Sequence, residues 1–89
     1  MDTHLVAKSA GALADKYRLG IVLALSQQPQ LAFAEVQELT GLSQPCVSHH
    51  LKVLADSGLV TTQKCGRCVN VTLNRGALQE LATFLGELG

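Results

Sequence analysis

Between Glu35 and Leu73 the spacing of apolar residues passes from a helical period to a strand period, and that stretch organises the chain. Val36 and Leu39 mark the inner side of a short helix from Ala34 to Thr40. Gly41-Leu42 makes a tight turn, and a longer helix follows from Ser43 to about Ser57. Taking Val47 as zero at about 100° per residue, Leu51 falls at about 40° and Leu54 at about 340°, which defines its core face. Ser48 then lies at about 100°, Lys52 at about 140°, Pro45 at about 160° and His49 at about 200°, all turned away from that face. Cys46, at about 260°, lies on the shoulder between the two. Ser43 is a helix N-cap, its hydroxyl accepting from an unpaired amide. Pro45 sits where a missing amide hydrogen costs little. Gly41 suits the left-handed residue that closes the preceding helix. Two short helices joined through a glycine turn are a helix-turn-helix.

After Gly58 the period becomes two. Leu59 to Cys65 and Cys68 to Leu73 read as strands, with Gly66-Arg67 a two-residue turn of the glycine-first type. This register pairs Lys64 with Val69, Thr62 with Val71 and Val60 with Leu73 on a mostly apolar face. The other face carries Gln63 with Asn70, Thr61 with Thr72, and Cys65 opposite Cys68. A one-residue slip would mix the faces, so the register is self-consistent.

The flanking segments read as helices. Asp2 to Leu13 has a narrow stripe of Leu5, Val6, Ser9, Ala10 and Leu13, and its weakly charged opposite side calls for a covering partner. Asp15 caps a second helix, Lys16 to about Ser26, with Leu19, Val22 and Leu23 on one face, widened by Ile21 and Leu25. Pro29 blocks its continuation. Leu31 to Phe33 is either a very short strand or an extended lead-in. The last helix, about Arg75 to Leu88, carries Leu78, Leu81, Leu85 and Leu88 with Phe84 beside them, a heptad-like seam that marks core or dimer interface, with interface the preferred assignment.

The chain has 89 residues, with two Phe, one Tyr and no Trp, so it is one small domain with an aliphatic core. Dimerisation would add burial that so small a core lacks. The longest apolar run, Ile21 to Leu25, is too short for a signal core or a membrane span, which places the expected protein in the cytoplasm, away from membranes. In a reducing compartment three cysteines are packing residues, metal ligands or redox thiols rather than a disulfide framework. Net charge is zero, but it is unevenly spread: Ser43 to Gly76 carries +3 and the remainder −3. The basic part is the helix and hairpin, and so few cations per chain imply a dimer for useful DNA affinity. No nucleophile with a paired base, glycine-rich phosphate loop or carboxylate pair suggests an enzyme.

Ala12-Leu13-Ala14-Asp15, followed by Arg18-Leu19 and Ile21-Val22, resembles the opening signature of ArsR/SmtB-type repressors. Leu42-Ser43-Gln44-Pro45-Cys46-Val47-Ser48-His49-His50-Leu51-Lys52-Val53-Leu54 resembles that family's recognition helix. Ser57-Gly58-Leu59-Val60 and Gly66-Arg67 match the start of its wing and the wing turn. The resemblance covers nearly the whole chain. It implies a mainly α fold with a small β-hairpin wing: a winged helix-turn-helix over residues 1–89, with recognition helix about 43–57, wing about 59–73, and a homodimer through terminal helices about 2–13 and 75–88. It implies a transcriptional repressor of double-stranded DNA that leaves its operator when an effector binds. Carried over, Gln44, Ser48 and His49 read the major groove, with Ser43 at the helix start, and Lys52, Lys64 and Arg67 meet phosphates or the adjacent minor groove. A two-fold dimer would read an inverted repeat with half-sites roughly 34 Å apart.

Two departures bear on the effector. Family members that sense through the helix before the recognition helix carry a cysteine pair near its start, whereas Leu31-Ala32-Phe33-Ala34-Glu35 has no thiol. Members that sense through the last helix use Asp and His, and Arg75 to Gly89 has neither. Cys65-Gly66-Arg67-Cys68 is the unusual feature. C-x-x-C on a hairpin tip is half of many zinc knuckles and also suits a reversible dithiol, with Arg67 favouring the thiolate. The plain alternative is two small residues flanking a turn. Cys46 is either a thiol activated by its helix N-terminus or half-buried filler. If Cys46 met Cys65 and Cys68, three thiolates would suit a soft ion such as arsenite, mercury, cadmium or zinc; no resident cofactor is required. His49 and His50, adjacent on a helix, diverge and are poor joint ligands; His50 is expected to be partly buried and His4 solvated. The leading expectation is a repressor released by an ion or oxidant acting on the wing thiols. Its rivals are a repressor with a non-thiol effector and a winged helix that recruits a protein partner through the Leu78 to Leu88 seam.

Overall fold

The computed structural model describes residues 2–89. Its order is α1 (Thr3–Leu13), α2 (Lys16–Ser26), β1 (Leu31–Ala32), α3 (Phe33–Thr40), α4 (Gln44–Asp56), β2 (Val60–Cys65), β3 (Cys68–Leu73) and α5 (Arg75–Glu87). The strands form one antiparallel sheet in the order β1-β3-β2. Leu31–Ala32 is thus a strand, pairing with Val71 and Asn70, and the helix after it starts at Phe33. The hairpin adopts the register that the alternating pattern predicts, from Val60 opposite Leu73 to Cys65 opposite Cys68. At the tip Gly66 has φ +61° while Arg67 does not have positive φ, so the turn is of the glycine-first type.

The core is aliphatic. Ile21, Leu25, Val36, Val47, Leu54, Leu59 and Val71 are fully buried, and Val22, Leu31, Leu51 and Val60 nearly so. α4 contributes Val47, Leu51 and Leu54, the row its sequence pattern marks. α1, α2 and α3 are rotated from expectation. In α1 the buried residues are Ser9 and Ala12, small enough for close approach, while Leu5 and Ala10 are exposed. In α2 the inner face is Ile21, Val22 and Leu25, and Leu19 and Leu23 face outward. Leu39 in α3 is also exposed. In α5 only Leu81 is buried, and Leu85 and Leu88 stand in solvent. These helices carry apolar residues on more than one side, so periodicity alone does not say which side faces the core.

Local hydrogen bonds fix the boundaries. The Gly41 amide, at φ +70°, donates to Gln37 O over 2.8 Å and ends α3. The Cys46 amide donates to the Ser43 hydroxyl at 3.4 Å. At the base of the hairpin Asn74 makes three ties. Its amide donates to Leu59 O (2.9 Å), its side-chain nitrogen to Gly58 O (3.0 Å), and its side-chain oxygen accepts from the Ala77 amide (3.1 Å). Asn74 therefore caps α5 and closes the wing at once.

Asp15 caps α2 by accepting from the amides of Tyr17 (2.9 Å) and Arg18 (3.0 Å). The Arg18 amide is the main cause that holds its carboxyl below the ordinary value; partial desolvation opposes this, and the Tyr17 amide and the charges of His50 and Arg18 add to it. A carboxylate with a depressed folded-state pKa contributes stability above its unfolded pKa and loses it as pH falls through the folded value. Asp15→Ala should therefore lower the melting temperature at neutral pH. The gap from wild type should close as pH drops below the ordinary carboxylate value of about 3.9. Circular-dichroism melts across pH test this, and a gap of constant size down to strongly acid pH would contradict the capping account.

Candidate nucleic-acid interface

α4 presents an exposed surface opposite its buried row. Ser43, Gln44, Pro45, Cys46, Ser48, His49 and Lys52 are all exposed. Gln44, Ser48 and Lys52 follow one another at four-residue steps, so they line one side of the helix. That side faces the wing. Gln44 and Ser48 line a cleft of about 350 Å³ together with Ala32, Phe33, Ala34, Arg67, Cys68 and Val69. Ser48 and Lys52 continue into a second cleft with Phe33, Leu51, Ala55, Asp56, Thr62 and Val69. Recognition-type helix and wing thus form one concave, mostly apolar-floored surface with polar groups at its rim. His49 lies on the other side of the exposed face, its ring 5.7 Å from that of His50.

The charges on this surface are few. Lys64 and Arg67 are exposed on the wing. Lys52 is exposed and lies 3.5 Å from Asp56 one turn along α4, a solvent-screened pair that contributes little to stability. Arg75, which belongs to the basic segment of the sequence, is used elsewhere. Its guanidinium donates to the α2 carbonyls of Leu25 (3.3 Å) and Ser26 (3.5 Å).

Cys46, Cys65 and Cys68 are all free and exposed. Cys65 and Cys68 are directly opposed across the hairpin, next to the turn. Cys46 does not join them: two residues from Gln44, it is turned by about 200° from the side that faces the wing. Among the described residues no three His, Cys, Asp or Glu side chains converge closely enough to hold a metal ion. A three-thiolate site within one protomer is therefore not formed; the thiols available together are two.

Sequence reasoning missed the support beneath this surface. His50, with a side chain 14% exposed, lies on the α2 side of α4. Its Nδ1 is 3.2 Å from an Arg18 guanidinium nitrogen and 3.8 Å from Asp15 Oδ2, and its ring stacks obliquely on Tyr17 at 5.8 Å. Arg18 also donates through Nε to Ala12 O (2.7 Å) and more weakly through Nη2 to Gly11 O (3.4 Å), closing the carbonyl end of α1. No local pattern signals a contact spanning 32 residues; the sequence marks His50 as partly buried but not what it meets.

A helix-turn-helix followed by a hairpin that flanks its second helix defines a winged helix-turn-helix. The chain matches the family described as "Bacterial regulatory protein, arsR family" over residues 15–62. It is 42% identical over 62 residues to the arsenical resistance operon repressor of Escherichia coli (strain K12), an alignment that covers 70% of this chain and 53% of that protein. The structure of HlyU from Vibrio cholerae N16961 superposes with a TM-score of 0.79 at 29% identity, covering 99% of this chain and 97% of that one. The crystal structure of an ArsR family transcriptional regulator superposes with a TM-score of 0.90 at 23% identity, covering 99% and 90%, a likeness of fold. The chain thus belongs to the ArsR family of bacterial regulatory proteins, a family of DNA-binding regulators and not of enzymes. It spans 53%, 60% and 56% of the length of three curated relatives it matches. Among the described residues no helix is long and apolar enough to cross a membrane.

The geometry of the wing turn yields a test. Gly66 sits at φ +61°, where a residue with a Cβ is strained by about 1–2 kcal/mol. Gly66→Ala should lower the unfolding free energy by that order, seen as a lower urea midpoint with the slope of the transition unchanged. An unchanged midpoint would mean that the tip is not held in this turn.

Proposed function

We propose that the chain is a DNA-binding transcriptional repressor, released from its operator by a thiol-directed signal at the wing. The observation that carries this reading is the concave surface on which Gln44 and Ser48 of α4 face Arg67 and Cys68 of the wing, continued by Lys52 opposite Thr62 and Val69. Ser43, Gln44, Ser48 and His49 enter the major groove, and Lys52, Lys64 and Arg67 meet phosphates or the adjacent minor groove. Amide and hydroxyl side chains read base edges, while cations position the helix on the backbone. Family membership supports repression, as does the E. coli relative's name as a repressor.

Two copies act together. Leu5 on α1 (52% exposed) and Leu85 and Leu88 on α5 (47% and 71%) leave apolar surface uncovered in one chain. A groove between these helices, lined by Leu5, Gln79, Glu80, Thr83, Phe84 and Glu87, suits a second copy. The homodimer brings two recognition helices to an inverted repeat and doubles the small number of phosphate contacts each protomer makes.

The signal acts at Cys65 and Cys68. Directly opposed strand residues lie roughly 5.5 Å apart at Cα, within the range a disulfide accepts. Oxidation by a peroxide would join the two sulfurs, with the thiol protons and two electrons passing to the peroxide oxygens. A soft ion such as arsenite, cadmium, mercury or zinc would instead take both thiolates and complete its shell from outside the protomer. Either event alters the turn that carries Arg67.

DNA binding to the protein's own promoter region, followed by fluorescence anisotropy, tests the reading under reducing, oxidising and reducing-plus-ion conditions. Cys65→Ser/Cys68→Ser should bind DNA as wild type does but no longer be released by the effective oxidant or ion. Arg67→Ala should weaken binding evenly across sequences and reduce the salt slope by about one unit per protomer. A serine double variant still released normally would sink the thiol mechanism, and wild-type protein that binds no DNA would sink the repressor.

A further inference from the structure

The recognition helix is not held by its apolar row alone. His50 is its one half-buried polar side chain that reaches a charged cluster on other elements. The groups around the imidazole are Asp15 at the α1–α2 junction, Tyr17 and Arg18 on α2, with Lys16 over the Tyr17 ring at 5.0 Å, and His49 on α4 itself.

A guanidinium has five donors and no acceptor. The 3.2 Å contact between Arg18 and His50 Nδ1 is therefore a hydrogen bond only when Nδ1 presents its lone pair, which puts the ring proton on Nε2 and leaves the ring neutral. Protonation reverses both conditions. Nδ1 becomes a donor facing a donor, and a cation facing a cation. The nearest acceptor is then Asp15 Oδ2, 3.8 Å away and already carrying two amide bonds on the same oxygen. Closing that gap to a charge-assisted bond needs a ring displacement of about 1 Å. Because Arg18 is pinned through Ala12 O and Gly11 O to the end of α1, it cannot follow the ring without giving up those bonds.

We propose that His50 is a positioning residue with two settings: neutral, it anchors the recognition helix to Arg18 and so to the end of α1; protonated, it exchanges Arg18 for Asp15 and moves the helix out of its DNA-reading position. The switch makes operator affinity fall on acidification and links the reading surface to a helix of the proposed dimer interface. It rests on the DNA-binding reading for its functional consequence, and its internal geometry is testable without DNA.

The sign must be separated from that of His49. A positive charge on His49, exposed on the proposed DNA-facing surface, would strengthen binding. That contribution is common to wild type and to His50→Gln, which keeps an uncharged acceptor for Arg18, so the difference between the two isolates His50. Anisotropy titrations with the promoter fragment from about pH 8 to about pH 5.5 span the range in which histidines ordinarily titrate. Wild type should lose affinity relative to His50→Gln by about fivefold over this interval, the low end of couplings between sites. Profiles that run parallel would overturn the proposal. Nitrogen-15 NMR of the imidazoles in the unbound wild-type protein provides the second reading. At about pH 8 His50 should have a bare Nδ1 and a protonated Nε2, and acidification should move the Arg18 Nε–H and α4 amide signals. A protonated Nδ1 at that pH, or α4 signals indifferent to the titration, would overturn the switch even if DNA binding fails for other reasons. The NMR measurement also decides the matter should His50→Gln fold poorly.

Discussion

The guanidinium of Arg18 is the tie on which the arrangement of helices depends. It satisfies carbonyls at the open end of α1, stands beside the cap of α2 and reaches the flank of α4. The last carbonyls of a helix have no partner within it, and a cation there also opposes the negative end of the helix dipole. Arg75 does the same for α2 from the start of α5. Two of the chain's seven basic residues are thus committed to joining helices. The cations left on the α4–wing surface are Lys52, Lys64 and Arg67, with Lys52 shared with Asp56. Affinity for DNA on the proposed reading must then come from a correctly spaced pair of protomers rather than from charge density.

That economy gives the shape of α4 its importance. Val47, Leu51 and Leu54 seat one side of the helix in the core, so the opposite side shifts only when the whole helix does. The wing is held at its base by Asn74 and through β1 at its middle, while every residue from Thr61 to Cys68 is exposed. Stability therefore declines from base to tip. Chemistry at the tip changes the presentation of Arg67 without reaching Val60 or Val71, which belong to the core.

What the sequence made legible was whatever repeats locally. The inner row of α4, the Ser43 and Asp15 caps, the Gly41 turn and the hairpin register all follow from residues within one or two turns of each other. Orientation was not legible for helices with apolar residues on several sides. Leu19 and Leu23 compete with Ile21 and Leu25 as an inner face, and only the position of α4 and β3 decides between them. Leu39 and Leu5 were misassigned for the same reason. The third strand was ambiguous because two residues carry no period. The Arg18–His50 and Asn74–Gly58 contacts join residues 32 and 16 positions apart, and polar pairs at such distances leave no trace in a single sequence. Of the candidate site, the outward row of α4 and the wing were readable; Cys46 stays apart from the wing pair because it is turned to the other side of α4.

The placement of the thiols constrains how any signal at the wing can act. A ligand in the clefts between α4 and the hairpin would lie over Leu51 and Val69, at the edge of the core. Cys65 and Cys68 instead sit beyond the core, beside the one turn whose conformation requires Gly66. Joining or bridging them acts on a two-residue loop and leaves the hydrophobic cluster intact. On the proposed reading, release by such a signal is a matter of local shape and charge at the wing tip. The His50 contact lies on the opposite side of the same helix. The two proposed devices would act on α4 from different flanks, one through the surface proposed for DNA and one through the support behind it, so their effects on operator affinity should combine additively where no side chain is common to both.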